Sequence, residues 1–396
     1  MYVTRPLSMY LRDPSALASP PPEGPNSGVL VIQDEEAVPT FCCGFFKSDR
    51  VSWGLPFPQN KNLTVRYTQQ TGEHQDVDTN RVLFIPVLNQ PLSSNQYYVV
   101  ERKGKHKGEA YINSKEEDMK TCCFCSCISD LKPQPLDPRN IYQQFEIQHR
   151  KRGGFAAKSV RADGFPPNFL RRKGWRVYTS TSKEFQLNEA PGLNTALRAR
   201  LPDFNFPLSQ RCSTPVVAGK WYCPFMFIKE GTVLKDQMKY STYYEMTLEQ
   251  QWEQIFACEN MYNEGNTVTV DVAVECEVVT VGGTEAVADQ KDVVDGVMWF
   301  RSLNRVTGSE TSVGLRMEIV ERMKGVQGVG GASGDEREVR VKRKEVFDGK
   351  GKKRKSGCYV LVEGFNVLGR MRMFYVFPLF CCIHMSHVVP FQLKDV

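Results

Sequence analysis

The residues most capable of chemistry sit together in Cys122-Cys123-Phe124-Cys125-Ser126-Cys127, four thiols within six residues. Thiolates at this density are soft ligands for zinc or copper. A structural zinc site usually draws two separated pairs, and Cys42-Cys43 could supply the second. The competing reading is structural. On a strand, Cys123, Cys125 and Cys127 share one face and Cys122 points to the other, and buried thiols pack as small hydrophobes. S-acylation of Cys42 or Cys43, beside Phe45-Phe46, is a third reading.

Gly104-Lys105-His106-Lys107-Gly108 offers two glycines for close backbone approach and three basic side chains, the elements of an anion-binding turn. It lacks the Ser/Thr and helix start of a phosphate loop. A plain turn after Val99-Val100 is the competing reading. Arg150-Lys151-Arg152 and Phe169-Leu170-Arg171-Arg172-Lys173 are short basic runs that could bind acidic lipid or nucleic acid but read better as solvated surface, and Lys350 to Lys355 reads as a loop with a possible nuclear-import role.

Catalytic signatures are sparse. The five histidines are His74, His106, His149, His384 and His387. The sequence contains no Gly-x-Ser-x-Gly elbow, His-Glu-x-x-His pair or Walker loop. Nothing in the linear order places a thiol such as Cys122 within reach of His106.

The chain of 396 residues has 41% hydrophobic and 24% charged residues, enough apolar surface for real cores. The net charge of +6 is spread and interleaved with acids, so no concentrated nucleic-acid footprint is visible and the expected partner is a protein. No stretch approaches the roughly 18 apolar residues of a membrane helix. Thirteen cysteines without a secretory leader imply reduced thiols in the cytoplasm or nucleus. The sequon Asn62-Leu63-Thr64 is expected to be unused for the same reason.

These residues need positioning elements, and the patterning is mostly that of strands. Val29 to Ile32, Leu63 to Tyr67, Val82 to Val87 and Gln96 to Val100 are short, β-branched or aromatic, and bounded by Pro, Gly or Asn. Val268, Val270, Val272 and Val274 alternate with smaller or polar residues. Val297 to Arg301, Val313 to Met323, Glu338 to Val346 and Cys358 to Glu363 are further strand candidates. Trp221 to Phe227 reads as a core strand. Helix signals are few: Asp137-Pro138 opening a helix through Phe145, a turn at Pro166 to Arg171, and Gly192 to Leu201. Thr247-Leu248-Glu249-Gln250 fits a capping box, and Leu248, Trp252, Ile255 and Phe256 follow at helical spacing, which predicts an amphipathic helix over 247–258.

The expected architecture is α+β: mainly antiparallel sheet in two lobes with a few short helices. A proline-rich extended lead-in covers 1–28. An N-terminal β-rich lobe covers 29–211, and a C-terminal lobe carrying the 247–258 helix covers 212–370. Residues 371–396 form an atypical tail.

Several segments together resemble the plant domain-of-unknown-function family numbered twelve-sixty-two. They include Met1 to Tyr10, Pro20 to Gly28, Pro56 to Lys61, Gly104 to Gly108, Glu116 to Met119, Thr121 to Cys125, Asp163 to Pro167 and Gly219 to Phe225. The resemblance spans roughly residues 1–365. It implies a plant protein and carries over no activity, cofactor or site residue. The C-terminus departs from the pattern: Gly325 to Gly331 stands where the family carries a tryptophan-containing stretch, and 371–396 does not resemble its ending. The functional expectation is a non-enzymatic binding or scaffolding protein, with stress responses as one setting. The alternatives are a metal-binding or redox-responsive protein using Cys122 to Cys127, with zinc as the candidate metal, and an unrecognised hydrolase or transferase.

Overall fold

The computed structural model describes residues 1–19, 27–36, 40–41, 46–47, 50–71, 74–122, 125–182, 185–259, 267–275, 277–287, 293–303, 308–328, 338–346, 355–369 and 383–395. The chain is β-rich, with several antiparallel sheets and few helices. Two sheets dominate. The larger contains thirteen described strands, and its centre is formed by the long strands Tyr243–Glu259 and Lys355–Gly369. The smaller has seven, in the order Phe155–Ser159, Gln144–His149, Gln96–Glu101, His74–Pro86, Lys61–Thr71, Arg176–Thr181 and Arg50–Ser52.

Strand alternation explains how the sheets share their cores. In His74–Pro86 and Gln96–Glu101, Leu83, Ile85, Tyr98 and Val100 enter the main core. The intervening Val82, Phe84, Tyr97 and Val99 enter the second. A period of two sends neighbours to opposite faces, so the same strands serve both cores. The main core draws side chains from both sides of residue 211, for example Ile85 and Phe365.

The region 247–258 is not a helix. It lies inside the strand Tyr243–Glu259, which pairs with Val216–Pro224 on one side and Lys355–Gly369 on the other. The four-residue spacing of Leu248 and Trp252 satisfies a period of two as well as one of 3.6. Between them Gln250 is also buried, so Met246, Leu248, Gln250 and Trp252 form one continuous inward face. A polar residue at an inward position hid the alternation. The capping-box residues have other partners: the Thr247 hydroxyl donates to Glu249, and the Gln250 amide donates to Glu363 at 2.8 Å.

The lead-in is likewise structured at its start. Tyr2–Pro6 is an interior strand that pairs antiparallel with Val216–Pro224 and parallel with Gly28–Gln33. Met1, Tyr2, Val3 and Thr4 are buried. The prolines bound elements here instead of excluding them. Pro6 ends the strand at a register shift, and Pro14 opens a short 3₁₀ turn, where its missing N–H costs nothing. Pro20, Pro21, Pro22 and Pro25 lie outside the described residues.

Smaller corrections have the same origin. The segment opened by Asp137-Pro138 forms a single 3₁₀ turn at Ile141–Gln143. Phe145 and Ile147 then alternate inward in the strand Gln144–His149. The strand expected over 313–323 stops at Arg316. Ile319, Val320 and Met323, at spacings of one and three, are the buried stripe of a helix, Met317–Gly328. Within the atypical tail, Ile383–Asp395 pairs with Lys355–Gly369 and Glu277–Val281.

Candidate functional site

The cysteine cluster falls on a two-stranded hairpin, Met119–Cys122 with Cys125–Ile128. The backbone register sets Cys122 opposite Cys125 and Cys127 opposite Lys120. Cys127 is exposed. Cys123, Cys42 and Cys43 lie outside the described residues. Among the described residues no three His, Cys, Asp or Glu side chains converge as a metal centre.

Lys105, His106 and Lys107 occupy a tight turn. The Gly108 N–H donates to the Glu101 carbonyl at 2.8 Å, and the Glu101 N–H donates to the Glu109 carbonyl at 2.9 Å. Gly104 and Gly108 adopt φ of 110° and 90°, the left-handed region that glycine enters freely. His106 Nδ1 lies 2.6 Å from Glu109 Oε2. Burial pushes the Glu101 carboxyl up; His106 opposes that shift and Glu109 adds to it. Two carboxylates thus sit among the three basic side chains of this turn.

Two open clefts flank the hairpin of Lys61–Thr71 and His74–Pro86. One, of about 380 Å³, is lined by Thr79, Asn80, Arg81, Glu101, Lys103 and Tyr111. The other, of about 290 Å³, includes Tyr67, Asp76, Asp78 and Arg172. Burial, then Glu101 and Asp78, raise the Tyr111 hydroxyl well above its ordinary range, so it remains a neutral donor.

A broader feature lies on one face of the seven-stranded sheet. The inward positions Leu63, Val65, Val82 and Val177 fill the second core. The alternate positions must face the other way. Register gives one row of Arg81, Thr64, Tyr178 and Val51, and a second of Thr79, Arg66 and Arg176. Thr68 opposite Val77 and Gln70 opposite Gln75 continue this face toward the hairpin tip. Arg81, Arg176 and Thr79 are exposed, whereas Arg66, Thr64 and Tyr178 are half-buried. The Arg66 guanidinium stands 4.3 Å from the Tyr178 ring centroid. That of Arg176 stands 5.9 Å from the Trp53 ring, and Trp53 is 65% exposed.

Charge divides between the two faces. Among the described residues of the four strands no Asp or Glu occupies this face; Asp76 and Asp78 fall on the other. There Asp78 holds Arg172 at 3.2 Å. On the open face Arg66 and Arg176 are directly opposed across neighbouring strands. Each of the two cation–π contacts contributes roughly 0.5–1 kcal/mol.

Sequence reasoning passed over this face because Arg66, Arg81 and Arg176 are widely separated in the chain. The available signal was the polar half of the alternation: Thr64, Arg66 and Thr68 between Leu63, Val65 and Tyr67.

Residues 23–124 match the model of the family described as "Protein of unknown function (DUF1262)". The matched stretch includes Trp53, Arg66 and Arg81. No curated protein matches the chain. Among solved structures, the crystal structure of Cry35Ab1 is similar at 10% identity with a TM-score of 0.44, covering 86% of this chain and 90% of that one. That likeness is too distant to bear on fold or activity. Among the described residues no helix is long and apolar enough to cross a membrane.

Proposed function

We propose that this is a non-enzymatic binding protein whose binding surface is the open, basic face of the seven-stranded sheet, and that its partner is acidic. One observation supports this above the others: the exposed Arg81 and Arg176 stand on a face to which the described strand residues contribute no carboxylate. Exposed positive charge on such a face favours an acidic partner. Arg81 extends the positive surface by one row. The density of thiols supports a reducing compartment, the cytoplasm or nucleus of a plant cell.

Retention on a heparin column tests the surface. Arg66→Thr/Arg81→Thr/Arg176→Thr is compared with Arg150→Thr/Lys151→Thr/Arg152→Thr, which removes equal charge elsewhere. The first variant should elute at clearly lower salt than wild type and the second close to it. Equal shifts would mean that net charge alone governs retention, and the reading would fail.

The thiols support a second reading, a metal- or redox-responsive hairpin, because the backbone register sets Cys122 opposite Cys125. Metal content of the reduced protein tests it. About one zinc per chain, lost when Cys122, Cys123, Cys125 and Cys127 are all changed to serine, is its expected result. No metal in either protein would remove zinc from this reading.

A further inference from the structure

One strand of the seven-stranded sheet carries a backbone edge that the fold leaves open. His74–Pro86 pairs with Lys61–Thr71 over residues 74–82 and with Gln96–Glu101 only over 82–86. Two bonds fix which way its backbone faces. The Arg102 N–H donates to the Arg81 carbonyl at 3.0 Å, and the Val87 N–H donates to the Gln96 carbonyl at 3.0 Å. Odd-numbered residues of this strand therefore turn their N–H and C=O groups toward Gln96–Glu101, and even-numbered ones toward Lys61–Thr71. Gln96–Glu101 ends opposite Val82. Past that point no described strand meets the backbone groups of Gln75, Val77 and Thr79 on this side. Gln75, Asp76, Thr79 and Arg81 are exposed, and Val77 is 52% exposed.

This edge carries few of the devices that block pairing. Free edges are commonly protected by proline, lysine or a bulge. From His74 to Arg81 the sequence has no proline or lysine, and the register with Lys61–Thr71 is unbroken. The larger cleft, lined in part by Thr79, Asn80, Arg81 and Glu101, opens where the line of Gln96–Glu101 runs out. An added strand starting there continues that line. The side chains set its pattern. On the open face, a residue opposite Thr79 stands diagonal to Arg81, and one opposite Val77 meets an exposed apolar side chain. On the other face Asp78 is held by Arg172 at 3.2 Å, and Asp76 is exposed. The segment that fits is acidic toward Arg81, β-branched opposite Val77 and basic opposite Asp76.

Resting on the reading that the open face meets an acidic partner, we infer that this partner is a polypeptide and that an extended segment of it adds an antiparallel strand to the edge from Gln75 to Thr79. The backbone bonds supply the affinity, and the alternating side chains select the segment. A second copy of this chain is a poorer occupant. Pairing the edge with itself about Val77 sets Asp76 against Asp78, and pairing about Asp78 sets that carboxylate against its own copy.

Fluorescence anisotropy with a labelled, capped hexapeptide, Thr-Glu-Thr-Ile-Lys-Thr, tests this on the full chain. Its antiparallel register sets glutamate opposite Thr79, isoleucine opposite Val77 and lysine opposite Asp76. Methylating the glutamate and isoleucine nitrogens removes two donors that face the edge and should weaken binding about tenfold or more. Methylating the nitrogens of the middle threonine and the lysine, which face away, should change it by less than about twofold. Exchanging glutamate and lysine should weaken binding about threefold. With the unmodified peptide, amide exchange should slow at Val77 and Thr79 and stay unchanged at Thr68 and Gln70, whose N–H groups face the opposite edge of the hairpin. Thr79→Pro removes one facing N–H and leaves the ladder to Lys61–Thr71 intact, so it should lower affinity about tenfold at an unchanged thermal midpoint. If that variant is destabilised, the methylated peptides still test the same bonds on the wild-type chain. Equal binding by the unmodified and both methylated peptides, or slowed exchange at Thr68 and Gln70 instead, would overturn the inference. Concentration-dependent slowing at Val77 and Thr79 without peptide would also overturn it, by giving the edge to a second copy. Absence of peptide binding while heparin retention still depends on the face arginines would overturn it and leave the open face standing. Loss of both would remove the two together.

Discussion

Removing Arg198 should destabilise the larger sheet by an amount set by the charge left behind. Arg198, on the short helix Thr195–Arg200, donates from Nε and Nη2 to the two oxygens of Glu363 at 2.7 and 2.5 Å. Its Nη1 donates to the Val326 carbonyl at 2.9 Å. Glu363 is 4% exposed and also accepts from Gln250 at 2.8 Å. The network ties the helix to both long central strands. Arg198→Met keeps much of the side-chain volume but leaves a buried carboxylate with one neutral donor. Breaking one side of a buried pair costs about 3–5 kcal/mol. With an m-value of about 3 kcal/mol/M, the urea midpoint falls by about 1–1.7 M. Fluorescence of the buried Trp221 and Trp252 reports the transition. Arg198→Met/Glu363→Leu removes both charges, leaves Gln250 without its acceptor, and should recover most of the loss. A fall below about 0.3 M for the single variant, or a double variant less stable than the single, would refute the reasoning.

Two further outcomes follow from local geometry. Burial raises the Glu230 carboxyl above its usual range, and the Tyr244 hydroxyl, which donates to it, only partly opposes this. A raised folded-state value means that Glu230's contribution to stability is present below the unfolded carboxylate range and is lost as pH rises through the folded value. Glu230→Gln should therefore raise the thermal midpoint at pH 7, with the gain shrinking on acidification; a lower midpoint at pH 7 would show that the tyrosine bond outweighs burial. Gly154 has φ of 72°, and an ideal Cβ there would stand 2.7 Å from the Gly174 carbonyl oxygen, so Gly154→Ala should lower the midpoint by several degrees, as scanning fluorimetry would show.

The sequence revealed elements wherever one periodicity dominated. Thr267–Glu275 is a strand because Val270, Val272 and Val274 share one side, and its partner Glu338–Val346 places Val341 against the same cluster. Legibility failed where a polar residue occupied an inward position, as Gln250 does between Leu248 and Trp252. It failed also where composition stood in for position: proline density across 1–28 concealed the proline-free Tyr2 to Arg5, which is an interior strand. The turn at Lys105 to Lys107 was visible as glycines and lysines, and Glu109 adjoins it in the sequence, but only the fold sets the Glu109 carboxylate against His106 and closes the turn on Glu101. The open face was least legible, because pairing alone brings Arg66 beside Arg176 and Tyr178 under Arg66.

The central claim is that the open face is where this protein binds. Arginine-selective modification with phenylglyoxal, read by mass spectrometry with and without saturating heparin, tests it on the wild-type chain. The account predicts slower modification of Arg81 and Arg176 in the presence of heparin, with Arg150, Arg152 and Arg340 unchanged. Unchanged rates at Arg81 and Arg176, or protection confined to Arg150 and Arg152, would contradict it.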